Sequence, residues 1–214
     1  MVVLTGRRRV GKTLLSREFA KNHTFIYLFV SKKSEVLLCE EYVSGIKKLF
    51  DTKVIGRIRT FKDVFALLLE ISKKQQITVI IDEFQNFSHV NPSVYSDIQH
   101  LWDINKHSCK MNFLIIGSIY SLMRKIFEDS KEPLFGRANG QLSLKPFSIK
   151  TISDILMKHN VRNPKTVFEY YVFTGGMPAY IDTLITNGIF SHEDMVDFIF
   201  HEHSPFIHEG KNLL

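Results

Sequence analysis

The sequence predicts an α/β fold with a parallel sheet, for three reasons. Short apolar segments of strand-like composition alternate with segments of helical spacing through the first 147 of the 214 residues, and such alternation is typical of right-handed βαβ units. Residues 77–81 are almost all β-branched and apolar, as in a strand buried on both faces of a parallel sheet. After Pro146 only helical segments follow. We therefore expect a sheet core at residues 1–147 and a helical subdomain at residues 148–214.

Each element is predicted from its own periodicity. The strands are predicted at residues 2–5, 24–30, 77–81, 112–117 and 141–144. The core helices are predicted at residues 13–21, 34–50, 60–72, 92–107 and a segment after Ser118. The helices of the helical subdomain are predicted at residues 148–159, 163–174, 178–186 and 191–201. In the first helix, the spacing of Leu14, Leu15 and Phe19 predicts that these side chains form its inner side.

Composition and charge exclude several classes of protein. The chain is 44% hydrophobic and 23% charged, so neither disorder nor a fibrous structure is expected. No apolar run approaches the roughly 18 residues that a membrane span needs, and a glycine-rich turn follows too soon for a signal peptide, so a cytoplasmic location is expected. Cys39 and Cys109 form no Cys-x-x-Cys pair, which argues against a zinc site. The net charge of +6, from 28 basic and 22 acidic residues, could attract nucleic acid or offset bound phosphates.

Residues 6–13 read GRRRVGKT and match the phosphate-loop pattern G-x-x-x-x-G-K-[ST] between a predicted strand and a predicted helix. The glycines allow backbone N–H groups to turn onto phosphate oxygens, and the helix adds its positive N-terminal end. Lys12 is expected to reach the β- and γ-phosphates of ATP, and the Thr13 hydroxyl to bind Mg²⁺. The predicted nucleotide contacts from this segment are Gly6, Arg7, Arg8, Arg9, Val10, Gly11, Lys12, Thr13 and Leu14. The three arginines could equally be solvated loop residues.

Two consecutive carboxylates, Asp82 and Glu83, end the apolar strand predicted at residues 77–81. This is the Walker B arrangement with an added glutamate. Asp82 is expected to hold Mg²⁺ through its water or through Thr13, and Glu83 to orient or deprotonate the water that attacks the γ-phosphate. An enzyme that excludes water would have less use for Glu83, so the pair favours hydrolysis.

These motifs resemble those of the prokaryotic AAA-type ATPases of the archaeal ATPase family, which are relatives of the STAND signalling NTPases. The segments that carry the resemblance occur in the same order as in the family: GRRRVGKT (6–13), IIDEFQ (80–85), IGS (116–118), PLFGR (133–137), KPFS (145–148) and GGMP (175–178). The resemblance implies an additional-strand P-loop fold with sheet order 5-1-4-3-2 and a C-terminal helical lid. It also implies a Mg²⁺-dependent ATPase that acts as a switch or motor on another macromolecule.

The resemblance implies roles for three further residues. Ser118 looks like the sensor-1 polar residue between the phosphate loop and the acidic pair, although it could equally be the N-cap of the next helix. Arg137 is similar to an arginine that contacts phosphate in cis or from a neighbouring subunit, and the alternative is that it anchors a loop. Pro178 looks like the proline with which the lid covers the adenine and ribose; the alternative is a plain inter-helix turn.

Two departures from the family leave other functions open. Only Met1 to Thr5 precede Gly6, and the chain ends at Leu214, so a chain shortened at both ends relative to the family is expected. The alternatives are a small-molecule kinase, a non-catalytic nucleotide-binding interaction module, and an ATPase associated with DNA. A protein partner and a homo-oligomer are also possible, and a membrane partner is not expected.

Overall fold

The computed structural model describes residues 1–52, 54, 56–202, 204 and 206. Within these residues the chain forms two compact units: Met1–Arg8 with Lys12–Leu144, and Arg9–Gly11 with Lys145–Leu214. The end of the predicted helical subdomain, at residues 203, 205 and 207–214, lies outside the described part of the chain. None of the helices in the described ranges is both long and apolar enough to cross a membrane.

The first unit contains one five-stranded parallel sheet. Its strands are β1 (Val2–Gly6), β2 (Phe25–Phe29), β3 (Ile77–Asp82), β4 (Met111–Gly117) and β5 (Gly140–Leu144). The strand order is β2-β3-β4-β1-β5, and every pairing is parallel. The predicted α/β class and the order 5-1-4-3-2 are therefore confirmed.

The helices of the first unit follow the strands as the alternation predicted. They are α1 (Lys12–Ala20), α2 (Glu35–Phe50), α3 (Phe61–Lys74), α4 (Phe87–Val90), α5 (Ser93–Asn105) and α6 (Tyr120–Glu128). The short helix α4 and a 3-10 turn at Phe84–Asn86 were not predicted. They are only four and three residues long, too short for a helical period to be visible in the sequence.

The central strand β3 is buried along its whole length, as its composition predicted. Ile77, Val79 and Ile81 belong to the larger hydrophobic core, which also contains residues of α2, α3 and α5. Ile80 belongs to a smaller core with Ala20 of α1. Because successive side chains of a strand point to opposite faces, β3 is covered on both sides and its end is held rigidly.

The prediction for the inner side of α1 was wrong. Leu14, Leu15 and Phe19 are 74%, 46% and 56% exposed, and the buried residues of the helix are Lys12, Ser16 and Ala20. These three are spaced by four residues and share one helix face. The phosphate loop holds Lys12 and Thr13 in the first turn of α1. The loop, and not the packing of the leucines, therefore determines which face of the helix is buried. Leu15 and Phe19 instead line an apolar groove with Met111 and Leu142.

The second unit is helical in its described part. Its helices are α7 (Ile149–Lys158), α8 (Pro164–Thr174), α9 (Pro178–Thr186) and α10 (His192–Phe200). Their core includes Ile152, Tyr170, Leu184 and Met195. The segment GGMP joins two of these helices: Gly175 ends α8 in the left-handed conformation, and Pro178 is the first residue of α9.

Candidate nucleotide-binding site

The phosphate loop connects the end of β1 to the start of α1. Gly6 and Gly11 have φ values of 152° and 94°, and Arg9 has a φ of 64°. Glycine adopts these conformations without the steric penalty that other residues meet. The two glycines at the ends of the motif therefore allow the tight path of the loop, whereas Arg9 adopts its left-handed conformation at some cost in backbone strain.

Lys12 is the first residue of α1, and only 6% of its surface is exposed. Its Nζ atom donates hydrogen bonds to the carbonyl oxygens of Gly6 at 2.7 Å and Arg7 at 2.8 Å. Burial lowers the pKa of Lys12, and the negative charges of Glu83 and Asp82 partly offset this effect. The hydrogen bonds of this buried ammonium go to neutral carbonyls, which compensate poorly for its lost hydration, so this site favours an anionic ligand.

Thr13 and Asp82 meet directly, although they come from α1 and the end of β3. The Thr13 Oγ1 atom donates a hydrogen bond of 2.7 Å to Asp82 Oδ2. Asp82 is 3% exposed, and its Oδ1 accepts the backbone N–H of Glu83 at 2.8 Å. The hydroxyl and carboxylate predicted to manage the metal are thus brought together at one edge of the sheet.

Tyr27 of β2 is a third member of this group and was not predicted from the sequence. Its hydroxyl donates a hydrogen bond of 2.6 Å to the same Asp82 Oδ2 atom. Burial and the hydrogen bond to Asp82 raise the pKa of Tyr27, so its phenol remains a donor. The ring lies under the guanidinium of Arg17, 4.7 Å from the ring centroid. The sequence does not show that Tyr27 lies near Asp82, because this depends on the register of β2 against β3, in which Tyr27 pairs with Ile80.

Glu83 follows Asp82 in the left-handed conformation, with a φ of 54°. Its Oε2 atom accepts a hydrogen bond of 2.7 Å from the hydroxyl of Ser118 at the end of β4. Oε2 also accepts a hydrogen bond from Nε2 of Gln85. The N-cap of α6 is Ile119 and not Ser118, so the N-cap alternative for Ser118 does not hold in this structure.

Arg137 lies near the amino ends of the strands, whereas the phosphate loop lies at their carboxyl ends. It precedes Asn139, whose N–H donates to the carbonyl of Met1 at the amino end of β1, whereas Lys12 follows the carboxyl end of that strand. The guanidinium binds Asp103 Oδ2 at 3.0 and 3.1 Å and the carbonyl of Phe135 at 2.9 Å. The prediction that Arg137 reaches phosphate in cis is thus contradicted, because the length of β1 separates the two ends. Within one chain it anchors a loop.

The remaining predicted contacts differ in their surroundings. Arg7, Arg8 and Arg9 have exposed side chains, and Val10 is buried. Leu14 is exposed and packs on neither core of the first unit. Pro178 begins α9 within the second unit, and its contact with nucleotide stays a prediction.

The residues at this site fit a Mg²⁺ ion bound together with a nucleotide. Within the described ranges, no three His, Cys, Asp or Glu side chains are clustered so that they could hold a metal ion on their own. One hydroxyl beside one carboxylate is, however, the protein contribution expected where phosphate oxygens and water complete the shell of Mg²⁺. The Thr13 and Asp82 pair supplies these groups.

Comparisons with known proteins agree with this geometry. The sequence pattern of a family described as an ATPase domain predominantly from Archaea matches residues 1–184. An uncharacterised protein of Methanocaldococcus jannaschii is 30% identical over 185 residues, which are 85% of this chain and 38% of the relative. The chain thus spans well under half of that relative.

Two solved structures share the fold. A Walker-type ATPase of Pyrococcus abyssi has a TM-score of 0.70 at 18% identity, covering 99% of this chain and 67% of the other. The ORC2 protein of Aeropyrum pernix in its ADP form has a TM-score of 0.57 at 17% identity, covering 92% of this chain and 61% of the other. At these identities the similarity shows a common fold and no more.

Proposed function

Because the chain belongs to the family of ATPase domains found predominantly in Archaea, we propose that it binds ATP with Mg²⁺ and hydrolyses it. The observation that carries this proposal is the meeting of Lys12, Thr13, Asp82, Glu83 and Ser118 at one edge of the sheet. They come from the carboxyl ends of three neighbouring strands, β1, β3 and β4.

Each side chain has a distinct task in the proposed reaction. Lys12 donates hydrogen bonds to the β- and γ-phosphates, exchanging its bonds to Gly6 and Arg7 for bonds to charged oxygens, which are stronger. Thr13 and Asp82 would hold Mg²⁺, which neutralises charge on the phosphates when it is bound. Glu83 orients the attacking water and takes its proton, and Ser118 keeps the Glu83 carboxylate in place.

The proposed output is that of a switch or motor acting on another macromolecule. The net charge of +6 makes DNA a partner worth testing, because neutralising phosphate charge supplies most of the affinity of non-specific DNA binding. A homo-oligomer is the arrangement in which Arg137 of one copy could reach the phosphates of another. In that case turnover per chain should rise with protein concentration in the wild type and not in Arg137→Ala.

Phosphate release from ATP, measured with Mg²⁺ and without any acceptor, tests the proposal. We expect wild-type turnover, loss of nucleotide binding in Lys12→Ala, and retained binding without turnover in Glu83→Gln. Lys48→Ala and Glu40→Gln change the same residue types at exposed positions of α2 and should behave as the wild type.

The alternatives give different results in the same assay. A small-molecule kinase would release little phosphate with or without an acceptor, and would form ADP and a phosphorylated product only when an acceptor is added. A non-catalytic interaction module would bind ATP and never turn it over, with or without DNA. If Glu83→Gln hydrolysed ATP at the wild-type rate, the role given to Glu83 would be wrong.

A further inference from the structure

The Glu83 carboxylate is held at one oxygen by two donors. Oε2 accepts hydrogen bonds from the Ser118 hydroxyl and from the Gln85 side-chain amide. Ser118 follows β4, and Gln85 lies in the 3-10 turn after β3. Two donors from separate elements fix both the position and the rotation of a carboxylate, whereas one donor would leave it free to pivot. Among the described residues, the hydrogen bonds to the Glu83 carboxylate go to Oε2 and not to Oε1, so Oε1 is available to a water molecule.

The orientation of the Gln85 amide is determined by the negative charge of the Glu83 carboxylate beside it. Gln85 is 1% exposed, so neither end of its amide is hydrated by bulk water. If the amide were flipped, its oxygen would face the Glu83 carboxylate and repel it. The N–H₂ end must therefore face Glu83.

The other end of the same amide has no hydrogen-bond partner. Gln85 Oε1 is buried and accepts no hydrogen bond, which is an unfavourable state for an amide. An added Cβ at Gly117 would lie 2.8 Å from this oxygen and 2.3 Å from Sδ of Met123. Because Gly117 has no side chain, there is room beside it for the Gln85 amide. An apolar residue of similar length would fill this space without leaving an acceptor unpaired, so stability alone does not account for glutamine here.

We propose that Gln85 is a positioning residue for ATP hydrolysis, which together with Ser118 holds Oε2 of Glu83 so that Oε1 faces the attacking water. This inference rests on the proposed function, because it assigns Gln85 a part in the same reaction. Gln85 contacts neither nucleotide nor water in this role and acts only through Glu83. Lys12 of α1 interacts electrostatically with Glu83, and also with Asp82 and Arg8.

The test is the separation of kcat from KM in variants of Gln85. Gln85→Met keeps the length of the side chain and removes the donor. General-base catalysis as a whole contributes about 10²- to 10⁴-fold, so a loosely held base should lower kcat about tenfold. KM and the affinity for a fluorescent ADP analogue should stay within about twofold of the wild type. Gln85→His retains an N–H at similar reach and should recover part of the lost kcat.

Controls separate a positioning role from a structural one. Gln141→Met makes the same change on the exposed edge strand β5 and should leave kcat unchanged. If Gln85→Met does not fold, Gln85→Leu is a second variant that lacks a donor to the carboxylate. Unchanged kcat in the donor-free variants, or equal losses of kcat and affinity in the Met and His variants, would overturn the positioning role. A wild type that binds ADP and releases no phosphate would instead overturn the proposed function, and this inference with it.

Discussion

The Tyr27 hydroxyl offers a direct test of the metal site, through the substitution Tyr27→Phe. The variant loses one hydrogen bond to Asp82 Oδ2, and the carboxylate keeps its bonds from Thr13 Oγ1 and the Glu83 backbone. The phenyl ring remains, so the contact with Arg17 is retained. The change therefore isolates the effect of a single donor on the orientation of Asp82.

The size of the effect follows from the strength of that bond. A hydrogen bond to a charged group contributes about 1.5–3 kcal/mol, and about 1.4 kcal/mol corresponds to a factor of ten in affinity. Removing a residue that hydrogen-bonds to a metal ligand typically lowers the metal affinity by a factor of about 10 to 100. We expect Tyr27→Phe to raise the Mg²⁺ concentration for half-maximal ATP turnover about tenfold, with saturating kcat much less affected.

A Mg²⁺ titration of phosphate release at saturating ATP measures this shift. The matched control is Tyr170→Phe, which removes another buried tyrosine hydroxyl, donated to the carbonyl of Ile189 in the second unit. If both variants had the Mg²⁺ dependence of the wild type, Tyr27 would have no part in orienting Asp82. If Tyr170→Phe shifted it equally, the effect would come from general destabilisation.

Three further predictions concern glycine packing, an exposed leucine and alkaline pH. Gly117→Ala places a Cβ 2.3 Å from Met123 Sδ, so we expect a lower midpoint of thermal unfolding and at least a tenfold loss of phosphate release. Leu14→Ser should change the free energy of unfolding in urea by less than about 0.5 kcal/mol, because Leu14 is 74% exposed; a larger loss would mean that Leu14 is packed. Burial raises the pKa of Tyr170, so the folded chain keeps a phenol proton that the unfolded chain releases above about pH 10, and stability falls as pH rises. Tyr170→Phe removes this contribution and should reduce the fall in the free energy of unfolding between pH 10 and pH 11 by about 1 kcal/mol, measured by urea unfolding at both pH values.

The strands could be predicted from the sequence, because a buried parallel strand has a distinctive composition, whereas the strand order was implied by the resemblance to the archaeal ATPase family. Residues 77–81 were predicted as a strand and form most of Ile77–Asp82. The phosphate loop was also recognisable, because its pattern is contiguous. Both signals are local, and local signals are what a single sequence carries.

The rotation of α1 and the partners of the acidic pair could not be predicted, because they depend on contacts between distant segments. The leucines of α1 have helical spacing, yet the loop turns Lys12 and Ser16 towards the sheet. Gln85 stood within a recognised motif, but its role depends on Ser118 and on the space beside Gly117. Arg137 matched a motif, but its distance from the phosphate loop depends on the sheet. It comes just before the amino end of β5, which pairs with the amino end of β1, whereas the phosphate loop follows the carboxyl end of β1.

The site is assembled from segments that are far apart in the chain. Thr13 and Asp82 are separated by 69 positions, Tyr27 and Asp82 by 55, and Glu83 and Ser118 by 35. Contacts of this range form slowly, because the intervening chain must be ordered first. During refolding, recovery of nucleotide binding should therefore lag behind recovery of the far-ultraviolet circular dichroism signal. On the ribosome, a nascent chain could not bind ATP at this site until β4 had emerged from the exit tunnel, because β4 lies between β1 and β3 in the sheet.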